Sequence, residues 1–146
     1  ENVQPIDESE KVVAVTGRTV FEHEGDIVSR VRSVEIATKY RSRPRRTSLA
    51  NGPCSMFERE SLLAIGGFDP EWYHAEDMEV SLRLISDGGT IVYTPDAVVH
   101  HVPELESSRF LAKRCRDARA HMRIVRHYPR RKRSRRRSSS RFCVDR

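Results

Sequence analysis

Val12-Val13-Ala14-Val15 is the segment that most narrows what this chain can fold into. Four apolar residues in a row show no alternation. With Thr16-Gly17 behind them they predict a short strand, buried on both faces and closed by a turn. Strands of that kind belong to layered α/β domains, with helices covering the sheet.

The rest of the chain supplies such layers. From Asp26 to Tyr40, Ile27, Val31, Val34 and Ala37 or Thr38 recur at helical spacing opposite Arg30, Arg32, Glu35 and Lys39, which predicts an amphipathic helix with Asp26 as its N-cap. Residues 41–50, with a proline, four arginines and little apolar content, read as an exposed loop. Residues Cys54–Phe57 lead into a turn or two of helix over Glu58–Ile65, stopped by Gly66-Gly67.

A helix beginning near Glu76-Asp77 puts Met78, Leu82 and Ile85 on one face, widened by Val80 and Leu84. It ends at Asp87-Gly88-Gly89, with glycine where the C′ residue belongs. Thr90–Tyr93 and Ala97–His101 are two brief β-type runs separated by Thr94-Pro95-Asp96. Ser107–Tyr128 is a long helical stretch with Phe110, Leu111, Cys115, Ala118, Met122 and Val125 as its apolar side. No internal repeat is visible.

Charge divides the chain unevenly. It carries 27 Lys+Arg against 21 Asp+Glu, yet residues 130–146 alone hold 9 basic and 1 acidic residue, leaving 18 basic and 20 acidic in the other 129. The Arg/Lys/Ser run past Pro129 has no apolar periodicity and reads as a disordered tail, so residues 1–129 form the folded part and 130–146 the appendage. Cys54, Cys115 and Cys143 are far apart, which suits a reducing compartment better than a disulfide framework or a zinc site. The first residues do not form a signal sequence, and no apolar run approaches the ~18 residues of a membrane span.

Three motifs and a downstream element stand in order. They are Asn51-Gly52-Pro53-Cys54-Ser55-Met56-Phe57, Ile65-Gly66-Gly67-Phe68-Asp69, Glu76-Asp77-Met78-Glu79-Val80-Ser81-Leu82, and Tyr93-Thr94-Pro95-Asp96-Ala97-Val98-Val99-His100-His101. Together they resemble the second half of family 2 glycosyltransferases, over roughly residues 11–128. The resemblance implies an incomplete GT-A (Rossmann-like) α/β domain, its C-terminal acceptor side. It also implies inverting transfer of a sugar from a nucleotide-sugar donor to a glycan or lipid-linked acceptor, in polysaccharide, glycolipid or cell-envelope synthesis.

Such a reaction needs a carboxylate to take the acceptor's proton. By the resemblance this is Asp77, at a helix N-terminus whose free N–H groups and dipole favour an anion. Glu76, Gly52, Trp72 and Tyr73 are the candidate acceptor- or substrate-binding residues. The two aromatics are equally suited to stacking on a sugar and to filling core space. On a strand His100 and His101 point to opposite faces; counting alternate positions from Pro95 favours His101, with His100 the fallback, as the histidine that helps hold Mg²⁺ or Mn²⁺ against the donor's diphosphate.

The family's Asp-x-Asp element, whose carboxylates hold that cation, occurs nowhere in this sequence. The expectation is therefore a fragment that lacks its donor-binding half and does not turn over alone, acting in the cytoplasm or at the inner face of the cell membrane. Two other classes stay open at this point: an acceptor-binding or assembly module, and a tail that contacts anionic lipid or nucleic acid. Nucleic acid is the weaker partner, because the folded part is slightly acidic and has no recognition-helix or aromatic RNA-binding signature.

Overall fold

A computed structural model of the chain describes residues 9–21, 27–102 and 107–128. Its elements, in order, are β1 (Val12–Phe21), α1 (Ile27–Arg41), β2 (Arg46–Thr47), β3 (Ser55–Phe57), α2 (Arg59–Ala64), a 3₁₀ turn (Pro70–Trp72), α3 (Glu76–Ser86), β4 (Thr90–His101) and α4 (Ser107–His127). The sheet runs β2-β4-β1-β3, with β1 and β4 parallel at its centre and β2 and β3 antiparallel to them at the sides. This is the α/β layering expected. The tail and Asp26 lie outside the described residues.

The opening strand is longer than the apolar run. β1 does not turn at Thr16-Gly17 but continues to Phe21, pairing with β4 on both sides of Gly17. A Cβ at residue 17 would lie 2.3 Å from the Ala97 carbonyl oxygen and 2.5 Å from Cys54 Sγ, so the glycine is there for close approach rather than for a turn. Opposite it β4 bulges: Tyr93 pairs with Thr16 and Val98 with Arg18, so residues 94–97 face one residue of β1. The two β-type runs are therefore one strand, its proline carried in the bulge where it breaks no ladder bond.

The core lies between the sheet and α3. Val13, Val80 and Leu84 are buried together, with Phe57, Leu62 and Ile65 packed on them, and Ala14, Ala50 and Ile91 form a neighbouring cluster. Both Val13 and Ala14 are buried, as the continuous apolar run requires, while Val15 is partly exposed. Helix α3 ends at Asp87, and Gly88 with φ 88° closes it as the C′ glycine.

Two apolar faces point the other way from the sequence reading. In α1 the buried residues are Val28, Ser29 and Ile36, whereas Ile27, Val31 and Val34 are exposed. In α4 the single buried residue is Ile124, while Leu111, Cys115, Met122 and Val125 are exposed. Polar contacts decide the rotation of α4: Arg114 pairs with Glu35 of α1, and Arg123 lies 4.2 Å from the centre of the Trp72 ring. Ile85 of α3 is likewise more exposed than its helical position suggested.

A buried acid locks α3 to its surroundings. Glu79, 2% exposed, takes two hydrogen bonds of 2.6 Å from Arg83 and one of 2.7 Å from the Tyr128 hydroxyl. Arg83 also donates to the carbonyls of Ile65 and Gly67, at 2.7 Å each, and so holds the Gly-Gly-Phe-Asp turn. Burial, then the hydrogen bond and charge of Glu79, push the Tyr128 phenol up to about 12 from 10.0. Because the folded value is the higher, this contribution to stability is complete below pH 10 and is lost as pH climbs through about 12. Tyr128→Phe should flatten that part of the alkaline limb when urea midpoints are followed from pH 9 upward; an unchanged slope would remove Tyr128 from the account.

Candidate active site

The segment Ala50–Gly52 is strapped across the first turns of α3. The Ala50 N–H donates to Ser81 Oγ at 3.0 Å, Ser81 Oγ donates to the Asp77 carbonyl at 2.5 Å, and the Gly52 N–H donates to Asp77 Oδ2 at 3.2 Å. Asp77 Oδ1 accepts from the Met78 N–H at 2.7 Å. The carboxylate is half-buried, held by two backbone donors, and has no ion pair with any described residue. A carboxylate that is oriented but not neutralised by a cation is what proton abstraction needs.

Asn51 holds this loop to the sheet. Its N–H donates to Thr16 Oγ1 at 3.1 Å, and its Nδ2 donates to the Gly17 carbonyl at 2.8 Å and to the Tyr40 hydroxyl at 2.7 Å. Its Oδ1 accepts from the Cys54 N–H at 2.9 Å, and its carbonyl accepts from Ser55 Oγ at 2.7 Å. Both ends of the amide are thus satisfied in a residue only 5% exposed. In the sequence Asn51 is only the residue before the motif glycine, and its role comes from partners far along the chain.

Gly52 lies beside Asp77. A Cβ there would stand 3.9 Å from Asp77 Oδ2, an ordinary contact, so the absent side chain leaves open the space in front of the carboxylate. Glu76 is exposed at the start of α3. Trp72 and Tyr73 differ in their surroundings. Trp72 is 5% exposed, packed with Ala75 and Ile124, so its ring fills core, whereas Tyr73 is 77% exposed and its ring centre is 4.0 Å from that of His74.

His74 has φ 77°, a left-handed conformation that costs a non-glycine residue about 1–2 kcal/mol. It turns the chain from the 3₁₀ turn into α3, immediately before Glu76-Asp77. The Asp69 carboxylate of the Gly-Gly-Phe-Asp turn caps the 3₁₀ turn by accepting from the Glu71 N–H at 2.9 Å. That motif builds the support under the Glu-Asp pair.

His101 and His100 end β4, opposite Phe21 and Val20. The His101 ring stacks on Phe21 with centres 4.7 Å apart, and its Nδ1 is 2.7 Å from the Val102 carbonyl oxygen, in position to donate to it. His100 is exposed. Among the described residues no three His, Cys, Asp or Glu side chains gather into a set able to hold a metal, so these residues do not fit a divalent cation by themselves. Nor is any described helix long and apolar enough to cross a membrane.

On a mixed α/β sheet, a glycine loop thus lies on a Glu-Asp helix start, with a Gly-Gly-Phe-Asp turn held beneath it. The sequence model of glycosyltransferase-like family 2 matches residues 1–120, and the chain belongs to that family. The activity of that family is glycosyl transfer in general, between a nucleotide-sugar donor and an acceptor. No match was found among curated proteins.

The geometry singles out Asn51. Asn51→Ala would leave the buried Gly17 carbonyl and the part-buried Cys54 N–H and Tyr40 hydroxyl without their partner, at a cost of roughly 2–3 kcal/mol. Urea denaturation should show that loss at an unchanged m-value; a change within 0.5 kcal/mol, the range of about ±0.5 typical of surface substitutions, would show that the loop is held by other contacts.

Proposed function

We propose that Asp77 is the general base of an inverting transfer and that this chain forms the acceptor side of the enzyme. One observation carries the reading: the Asp77 carboxylate is fixed by the N–H groups of Gly52 and Met78, unpaired by any described cation, behind a residue that has no side chain. In the proposed step the acceptor hydroxyl gives its proton to Asp77 as its oxygen attacks the anomeric carbon. The nucleoside diphosphate leaves from the opposite face, which inverts the configuration. Glu76, next to Asp77, and Tyr73, in the turn that leads into α3, are both exposed and are proposed to meet the acceptor.

The donor is proposed to be held by a further βαβ unit that carries the Asp-x-Asp carboxylates and the divalent cation, neither of which the described residues supply. Two features support this. Among the described residues β3 pairs with β1 alone, so its other edge is open for another strand, and Met56 on it is 78% exposed. The other is His101, which would offer Nε2 to that cation, its Nδ1 being engaged by Val102.

The 146-residue chain alone is accordingly expected to bind no UDP-, GDP- or dTDP-sugar measurably by calorimetry, with or without Mn²⁺. Tight binding would show that the donor site lies within these residues.

In the enzyme joined to its donor unit, Asp77→Asn should abolish transfer while donor affinity stays nearly constant. Asparagine keeps the size and the acceptor oxygen that the Gly52 N–H requires but cannot take the proton, and a general base contributes about 10²–10⁴-fold. Retention of more than about a tenth of wild-type turnover would assign Asp77 to helix capping and the base to another residue.

A further inference from the structure

The transfer step makes no use of a cleft of about 920 Å³ between α1, the loop 41–45, the end of β1 and the β4 bulge. Two tyrosines form its wall: the rings of Tyr40 and Tyr93 stack with centres 5.9 Å apart and planes 20° from parallel. Four arginines, Arg18, Arg41, Arg43 and Arg45, line it against one acid, Asp96. Several arginines elsewhere have carboxylate partners, as in Arg32 with Glu35, Arg46 with Glu10 and Arg83 with Glu79. Those of the cleft make no ion pair with any described residue.

Arg43 is the fixed member. Its Nε donates to Thr47 Oγ1 at 3.1 Å, its Nη2 donates to the Leu49 carbonyl, and its guanidinium carbon lies 5.4 Å and 5.2 Å from the centres of the Tyr40 and Tyr93 rings. Its Nη1 is buried and has no hydrogen-bond partner among the described residues. A buried guanidinium donor without an acceptor is costly, and Nη1, the one Arg43 nitrogen not engaged by Thr47 or Leu49, is held at low side-chain entropy as a charged donor for a phosphate or carboxylate. Burial pushes the Tyr93 phenol up, against the opposing pull of the Arg18 and Arg43 cations.

The cleft also adjoins the transfer site. The Tyr40 hydroxyl accepts from Asn51 Nδ2, and the next residue, Gly52, holds Asp77.

We propose that this cleft is an anion subsite that binds a phosphate or carboxylate group carried on a sugar, with Arg43 Nη1 as the fixed donor and Arg18, Arg41 and Arg45 as the surrounding charge. The half-buried Tyr40 ring lines the space for the sugar itself. That the sugar is part of the acceptor rests on the transfer reading above; the binding does not.

The test is an NMR titration of the full chain, with the Tyr40, Arg43 and Tyr93 amides as reporters, using glucose 6-phosphate, glucuronic acid and neutral glucose at millimolar concentration. At least one of the two anions should shift these amides and glucose should not; which anion binds the tighter identifies the group the subsite prefers. Arg43→Gln should weaken binding roughly tenfold or more, the loss expected for a charge-assisted hydrogen bond. Because Arg43 also anchors Leu49, Arg18→Gln serves as the second variant, at an exposed position where folding is not at stake, and should weaken binding in the same direction. Arg119→Gln, on α4 outside the cleft, should leave binding unchanged and so separates the cleft from general cationic attraction.

No shift with either anion, equal shifts with glucose, or unweakened binding in both cleft variants would overturn the proposal. Asp77→Asn should bind the anion as the wild type does, so loss of the subsite and loss of the proposed base are read by different experiments.

Discussion

The site depends on one buried amide. Asn51 joins β1, α1 and the β3 entry by hydrogen bonds, and its two neighbours, Ala50 and Gly52, fasten the same loop to α3. A side-chain amide can both donate and accept, so a single residue satisfies groups from three elements. Close packing is part of the same device. Gly17 lets the Ala97 carbonyl and the Cys54 sulfur sit against β1, which brings the Asn51 loop near enough to reach the Gly17 carbonyl.

Beneath that loop, α3 is held at a fixed rotation by Glu79. A carboxylate this deeply buried is tolerated because Arg83 and Tyr128 fill its acceptor sites, and Arg83 passes the constraint on to the turn carbonyls of Ile65 and Gly67. Removing one partner would leave an uncompensated charge, so the pair specifies geometry more than it adds stability. The outcome is that Asp77, two residues before Glu79 on the same helix, presents its carboxylate to Gly52 in one orientation.

Much of the local structure was legible in the sequence. The boundaries of α2, α3 and α4 follow from Gly66-Gly67, from Gly88 and from apolar periodicity, and each falls within a residue or two of expectation. What periodicity did not tell was which face turns inward. In α1 apolar residues occur nearly all round, with Val28 and Ile36 on one side and Ile27, Val31 and Val34 on another, so a count of apolar residues selects no unique face. In α4 the inward face carries Lys113 and Arg114, half-buried, because long side chains can cover apolar surface with their stems, and the Arg114 charge pairs with Glu35 at the rim.

The sequence by itself determined the element types, the α/β layering, the family and the residue chemistry at the start of α3, because these rest on local periodicity, on glycine and proline positions and on motif order. Only the tertiary structure decided that Gly17 is a contact point inside a strand, that Trp72 is core while Tyr73 is surface, that Asn51 and Glu79 are hubs, and that four arginines and two tyrosines share a cleft. Each of these depends on partners 11 or more residues away in the chain, as Asn51 depends on Tyr40 and Glu79 on Tyr128, at 49. Local pattern carries no information about which distant group will fill a hydrogen bond, and that pairing is what places the Asp77 carboxylate against the Gly52 N–H.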